Sequence, residues 1–374
     1  MTVRVSGKVV TPTGVIRQGC VELDGDRITA VAEYPSIRDG HWIVPGFVDI
    51  HTHGGGGHTF TTGDADAARS AAAFHLGHGT TTLLASLVSS PYQLMRDATE
   101  AYAPLVKEGV LAGVHYEGPY LSAVRCGAQN PDFLRDPSVD ELSELLALGG
   151  GTVRMVTLAP ELPGALAAIE LLVSHRVVAA IGHTDATYEQ TGAGIIAGAT
   201  VATHLFNGMR GPHHREPGPV FALLGSPNVV CELVADGVHL HQGALAFAAG
   251  VAGPDRAALI TDAMAAAGMP DGGYELGGQP VVVSDGVVRL AGVDGTPGAI
   301  AGSTLTMDAA LRHTLAAGVS IVDACRMAAT TPARAIGLGE RVGSLTPGLR
   351  ADLVVLDDNL NVVRVMRAGT WLDR

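Results

Sequence analysis

The feature that most constrains this chain is a repeated strand-then-helix pattern through its middle. Eight apolar segments have the length and composition of strands: residues 42–53, 80–88, 111–118, 152–159, 177–183, 200–206, 229–236 and 258–263. Helical patterns separate most of them, at 65–77, 91–106, 139–148, 164–174 and 242–249. Strands apolar on both faces and alternating with helices predict a parallel sheet covered on both sides. Eight such units fit a (β/α)8 barrel. The rival, an open doubly wound sheet, lacks its Gly-rich nucleotide turn after the first strand. Residues 274–298 break the alternation and read as a β-hairpin insertion.

Both ends of the chain read differently. Short alternating strands with turns fall at 3–5, 8–11, 19–24 and 27–32, and again at 343–346, 352–356 and 362–368. Neither end is long enough to bury a core alone. Together they predict one small β-sandwich domain, residues 1–43 plus 344–374, beside a catalytic barrel over 44–343. A length of 374 residues suits that division.

Composition narrows the function. Hydrophobic residues at 47% and charged residues at 16% describe a packed globular enzyme. A net charge of −13 argues against nucleic acid or an anionic membrane as partner. No run of about eighteen apolar residues is present, and the first residues lack a signal-peptide core. Cys20, Cys126, Cys231 and Cys325 are scattered and form no C-x-x-C pair. They read as reduced thiols of a cytoplasmic protein.

Chemistry gathers at strand ends, where a barrel keeps its active site. The first strand ends in His51-Thr52-His53, the third in Glu117-Gly118-Pro119, the fifth in His183, the sixth in His204 and the eighth in Asp262. His51 and His53 are two apart, so on a strand both point the same way. Glu117, His183 and His204 make a three-ligand set for a catalytic metal with an open position. Asp262 has the chemistry to take a proton from water and return it to a leaving amine. Each residue has a plainer reading as well: paired strand histidines, a Glu salt-bridged to Arg, core histidines, a helix N-cap. The other histidines, including His75, His78 and His115, read as surface or incidental. Only Lys8 and Lys107 are lysines, and the fourth strand has none. A carboxylated lysine therefore cannot bridge two metals here, and Glu117 must do so if two bind.

Nine ordered segments resemble the N-acetylglucosamine-6-phosphate deacetylase family of the amidohydrolase superfamily. They are Pro45–Gly54, His115–Ser122, Gly127–Pro131, Gly182–Thr187, Thr203–Met209, His214–Gly218, Asp236–His239, Thr261–Met264 and Ala301–Asp308. The resemblance implies hydrolysis of the acetamide of N-acetyl-D-glucosamine 6-phosphate, in amino-sugar catabolism and cell-wall recycling. It implies one or two divalent metals per subunit, Zn2+ first, with Fe2+, Mn2+ or Co2+ as alternatives. Glu117, His183 and His204 would hold the principal ion. His51, His53 and Asp262 would complete a second site, and Asp262 would be the catalytic base and acid. His239, Asn207 and Gly208 would hold the sugar phosphate. Gln129, Ala128, Leu305 and Met307 would shape the sugar and acetyl pocket. Arg215 would bind phosphate in the neighbouring subunit's site, which implies a homodimer. Gln129 stands where many relatives carry His. A different amidohydrolase would share the metal site without the phosphate contacts, and an inactive sugar-phosphate-binding barrel would not need Asp262.

Overall fold

A computed structural model describes residues 3–35, 40–292, 296 and 298–372. Its centre is an eight-stranded parallel sheet whose neighbours run in chain order. The strands are Phe47–Asp49, Thr80–Leu87, Gly113–Glu117, Val153–Leu158, Val178–Ile181, Val201–Ala202, Val230–Val234 and Ala257–Ile260. The sheet closes on itself just beyond its strand ends. Asp262 N donates to His51 O at 2.9 Å and His53 N donates to Ala263 O at 2.7 Å. The strands are buried throughout apart from a few partly exposed positions, and helices cover the outside. The expected (β/α)8 barrel is the observed architecture.

Helix boundaries follow local chemistry. Ala65–Gly77 starts where the Asp64 carboxylate accepts from Asp66 N and Ala67 N. Tyr188–Ala197 starts at a capping box between Thr187 and Gln190. That second cap pins the chain a few residues after His183.

The chain ends form a seven-stranded sheet in which both termini take part. Its order joins Thr370–Trp371, Val362–Arg367, Leu353–Leu356, Trp42–Pro45, Val3–Thr11, Gly14–Asp24 and Arg27–Glu33. Residues 348–351 also hydrogen-bond to the edge strand, through Ile28 N to Leu349 O and Ala351 N to Asp26 O. The sheet thus curls over a core of its own, with Val9, Val21, Leu23, Ile43, Leu353 and Met366. Three expectations shift. The long first strand is split, because Trp42–Pro45 pairs in the terminal sheet and only Phe47–Asp49 enters the barrel. Gly46 makes the join: a Cβ there would lie 2.3 Å from Thr81 Oγ1. Residues 343–346 are a bend and irregular chain, not a strand. The insertion is a three-stranded antiparallel sheet, Gly272–Leu276, Gln279–Ser284 and Val287–Leu290, with its own apolar contacts to Val88 and Met264.

Candidate active site

The five strand-end segments converge. Glu117 closes the third strand, and His183, His204 and Asp262 each lie two residues beyond theirs. These last three have positive φ, at 46°, 27° and 50°. Left-handed backbone is unfavourable for such residues and persists where surrounding structure enforces it, which is common at functional sites. The turns aim the side chains inward across the barrel mouth.

Two groups of three meet at the centre, His51 with His53 and Asp262, and Glu117 with His183 and His204. All six are buried. Glu117 Oε1 lies 3.0 Å from His183 Nε2 and 2.9 Å from His204 Nε2. Its Oε2 lies 3.3 Å from His53 Nε2, so one carboxylate faces both groups. Asp262 Oδ1 is 3.2 Å from His53 Nε2 and 3.6 Å from His51 Nε2.

The ring nitrogens test whether these residues suit a metal. His51 Nδ1 faces Glu232 Oε2 at 3.0 Å, His53 Nδ1 faces Ser86 O at 3.1 Å, and His183 Nδ1 faces Arg125 O at 2.9 Å. Each acceptor requires a proton on Nδ1, which leaves the Nε2 lone pair pointing inward in the neutral ring. Yet Nε2 meets Nε2 at 3.1 Å between His51 and His53, and at 3.0 Å between His183 and His204. Between His51 and His53 the facing lone pairs repel unless a cation or proton sits between them, whereas among the described residues His204 Nδ1 has no acceptor and leaves its Nε2 free to carry the proton. The donor set of imidazole and carboxylate fits a divalent transition metal.

Electrostatics say the same. Burial works against charge on His51 and His53. The facing carboxylates outweigh it, holding His51 well above its usual range and His53 at about 9. Burial alone would raise Glu117 and Asp262, but the surrounding histidines hold both carboxyls far below normal. The cluster is a sink for positive charge.

Behind it lie two carboxylates without an assigned role in the sequence reading. Glu232 is fully buried, and its Oε2 also accepts from His204 N at 3.1 Å, while its Oε1 has no partner. Its signal was available: a lone acid inside the apolar run 229–235. Asp49 accepts from Thr261 Oγ1 at 2.6 Å and from His51 N at 3.2 Å, and burial pushes its carboxyl up to about 7. His115 is buried between Ser86 Oγ at 2.9 Å and Thr157 Oγ1 at 2.8 Å, with its ring against His51. His75, expected on the surface, is fully buried and donates Nε2–H to Gly54 O at 2.9 Å. The Ala65–Gly77 helix turns that face inward because Ala68, Ala71 and Ala72 are its apolar stripe.

The cluster floors a cavity of about 320 Å³. Ala128, Gln129, Asn207, Gly208 and His239 line it. Gln129 bridges Ser89 N (2.7 Å) and Glu117 Oε2 (2.6 Å). Gly208 has φ +60°, and a Cβ there would meet His183 Nδ1 at 2.8 Å. His239 turns Nδ1 to Asp236 Oδ2 at 2.7 Å, with Nε2 3.7 Å from Asp262 Oδ2. Leu305 and Met307 lie elsewhere, packed into the barrel core behind the wall. The wall on that side is Ile300, Gly302 and, from the insertion, Leu276 and Arg289. Arg215 is exposed, outside this cavity, and donates to His214 Nε2 at 2.7 Å. Cys126 is half-buried, and all four cysteines are free.

The family model described as "Amidohydrolase family" matches residues 42–372. The chain belongs to the amidohydrolase family. Within the family its relatives are deacetylases of amino-sugar phosphates. It is 40% identical to an N-acetylgalactosamine-6-phosphate deacetylase of Escherichia coli O157:H7, over 97% of each chain. It is 33% identical to the N-acetylglucosamine-6-phosphate deacetylase of Lysinibacillus sphaericus, over 96% of this chain and 95% of the relative. An aspartate-to-alanine mutant of the N-acetyl-D-glucosamine-6-phosphate deacetylase of Mycobacterium smegmatis, solved with N-acetyl-D-glucosamine-6-phosphate, superposes with a TM-score of 0.94. Identity there is 46%, with 99% of both chains covered. Among the described residues of this amidohydrolase, no helix is long and apolar enough to cross a membrane.

Proposed function

We propose that this amidohydrolase hydrolyses the acetamide of N-acetyl-D-glucosamine 6-phosphate, giving D-glucosamine 6-phosphate and acetate. The observation that carries the reading is the joined pair of three-residue groups, with Asp262 beside the cavity, in a chain similar along its whole length to deacetylases of this substrate class. Glu117, His183 and His204 would hold one divalent ion, and His51, His53 and Asp262 would hold a second, with the Glu117 carboxylate facing both groups. Such ions polarise a carbonyl and lower the pKa of bound water towards neutrality. Zn2+ is the first choice for these ligands.

The chain's own residues do the rest. Asp262, whose carboxyl is held ionised, accepts a proton from the attacking water. It delivers that proton to the amine nitrogen as the C–N bond breaks. The protons balance: one water and one amide give acetate and a protonated amine, one water proton reaching the nitrogen through Asp262 and the second passing from the carboxylic acid to the amine. Glu232 and the carbonyls of Ser86 and Arg125 keep the imidazoles oriented. Gln129 holds Glu117 and presents an amide towards the sugar. Asn207, Gly208 and His239 line the sugar-phosphate end, and Ala128 the opposite wall. Arg215, exposed on its loop, reaches the phosphate in the partner subunit of a homodimer, and the enzyme works in the cytoplasm.

The test is acetate release from metal-depleted protein before and after add-back of Zn2+, Fe2+, Mn2+ or Co2+. N-acetyl-D-glucosamine 6-phosphate, its galactosamine epimer and unphosphorylated N-acetylglucosamine are compared. Turnover restored by metal, and strongest on the glucosamine phosphate, is the expected result. Equal rates on the unphosphorylated sugar refute the phosphate assignment. Preference for the epimer, the substrate in the name of the E. coli relative, replaces the sugar.

A further inference from the structure

A second polar pocket lies at the opposite end of the barrel. Thr82, Ala112 and Arg154 sit at the start of the second, third and fourth strands, far from the strand ends that carry the site. The loop with Arg341 and two arginines of the terminal domain region, Arg350 and Arg367, complete a cavity of about 100 Å³. Four arginines thus line one small space in a protein of net charge −13.

Their partners do not neutralise them. Arg350 pairs with the buried Asp352, Nε to Oδ2 at 2.8 Å, and also reaches Thr82 Oγ1 at 2.8 Å. Among the described residues Arg367 donates to carbonyls, those of Gly109 and Val110. Burial and the neighbouring Arg350 hold its pKa below the usual arginine value. Arg154 Nε is buried without a hydrogen-bond partner. Among the described residues neither Arg154 nor Arg341 has an ion-pair partner, and Asp352 is the one carboxylate paired with any of the four. Like charges gathered in a partly buried space repel, and a buried guanidinium N–H without an acceptor is costly. A stability role calls for acids interleaved with the arginines, and only one is there.

We propose that this pocket binds a small phosphate-bearing anion at the floor of the barrel. Guanidinium forks match phosphate oxygens bidentately, and the space is too small for a whole sugar nucleotide. The site is distinct from the metal cluster and does not depend on the assigned substrate.

Calorimetric titration of the metal-loaded enzyme tests it, with inorganic phosphate in one arm and glycerol 3-phosphate in the other to separate free phosphate from an ester. Arg341→Gln, at an exposed side chain, and Arg154→Gln are the variants. Wild type binds at least one of the two anions, and binding weakens as salt is raised. Each variant lowers that affinity tenfold or more, while acetate release in phosphate-free buffer and Tm stay near wild type. Equal affinity for both anions in wild type and in the double variant overturns the proposal. So does a wild type that binds neither anion.

Discussion

Glu232 offers the sharpest test of how the centre is held. Its Oε2 accepts two hydrogen bonds at once, from the His51 ring and from the His204 backbone, and so ties one three-residue group to the other. Glu232→Gln keeps the shape and one acceptor oxygen but removes the charge. A hydrogen bond to a charged group contributes about 1.5–3 kcal/mol against about 0.5–1.5 for a neutral one. Two bonds therefore lose about 2–3 kcal/mol in all, partly offset because a buried charge no longer has to be desolvated. A net loss of about 1.4–2.8 kcal/mol is a tenfold to hundredfold weaker grip on metal, the range typical for groups that orient ligands. The assay is metal content per chain after dialysis against graded chelator, alongside far-UV circular dichroism and Tm. The variant should stay folded and lose metal at lower chelator concentrations than wild type. Unchanged chelator curves would refute the reasoning, because the carboxylate charge would then contribute nothing to binding.

Asp262→Asn should lower turnover by about 10²–10⁴, the usual contribution of a general acid–base group, with KM changed much less; steady-state kinetics on the phosphorylated sugar check it. His75 is buried neutral with its pKa pushed down to about 4, so between about pH 4 and its unfolded value near 6.5 the unfolded chain holds the extra proton. Stability from this group is therefore lost as pH falls through that window, and His75→Asn should flatten the dependence of Tm on pH there. Gly46→Ala places a Cβ 2.3 Å from Thr81 Oγ1 and should cost about 1–3 kcal/mol by overpacking, read as a lower denaturation midpoint.

Periodicity made the barrel legible, because strands buried on both faces are dominated by apolar residues and alternate with helical segments. The six central residues were legible for the same reason: Glu117, His183 and Asp262 are the polar stops after apolar runs. What stayed hidden was chemistry without such a stop. Glu232 sits mid-strand, where a lone acid looks like an exception to its run. The helical face carrying His75 is so rich in alanine that its inward direction was weakly marked. The wall residues Leu276 and Arg289 come from an insertion whose position over the mouth is set by tertiary packing. Leu305 precedes the Met307–Ala316 helix and Met307 opens it, and both side chains pack into the barrel core.

Closure of the barrel also sets an order of events. Asp49 on the first strand and Thr261 after the last are bonded across 212 residues. At about 5–20 residues per second, a ribosome delivers those partners about 10–40 s apart. His51 and His53 therefore wait, without Asp262 or Glu232, for most of synthesis. A nascent chain in this interval carries His51 and His53 without the carboxylate that completes their group, so that half of the centre belongs to the finished barrel.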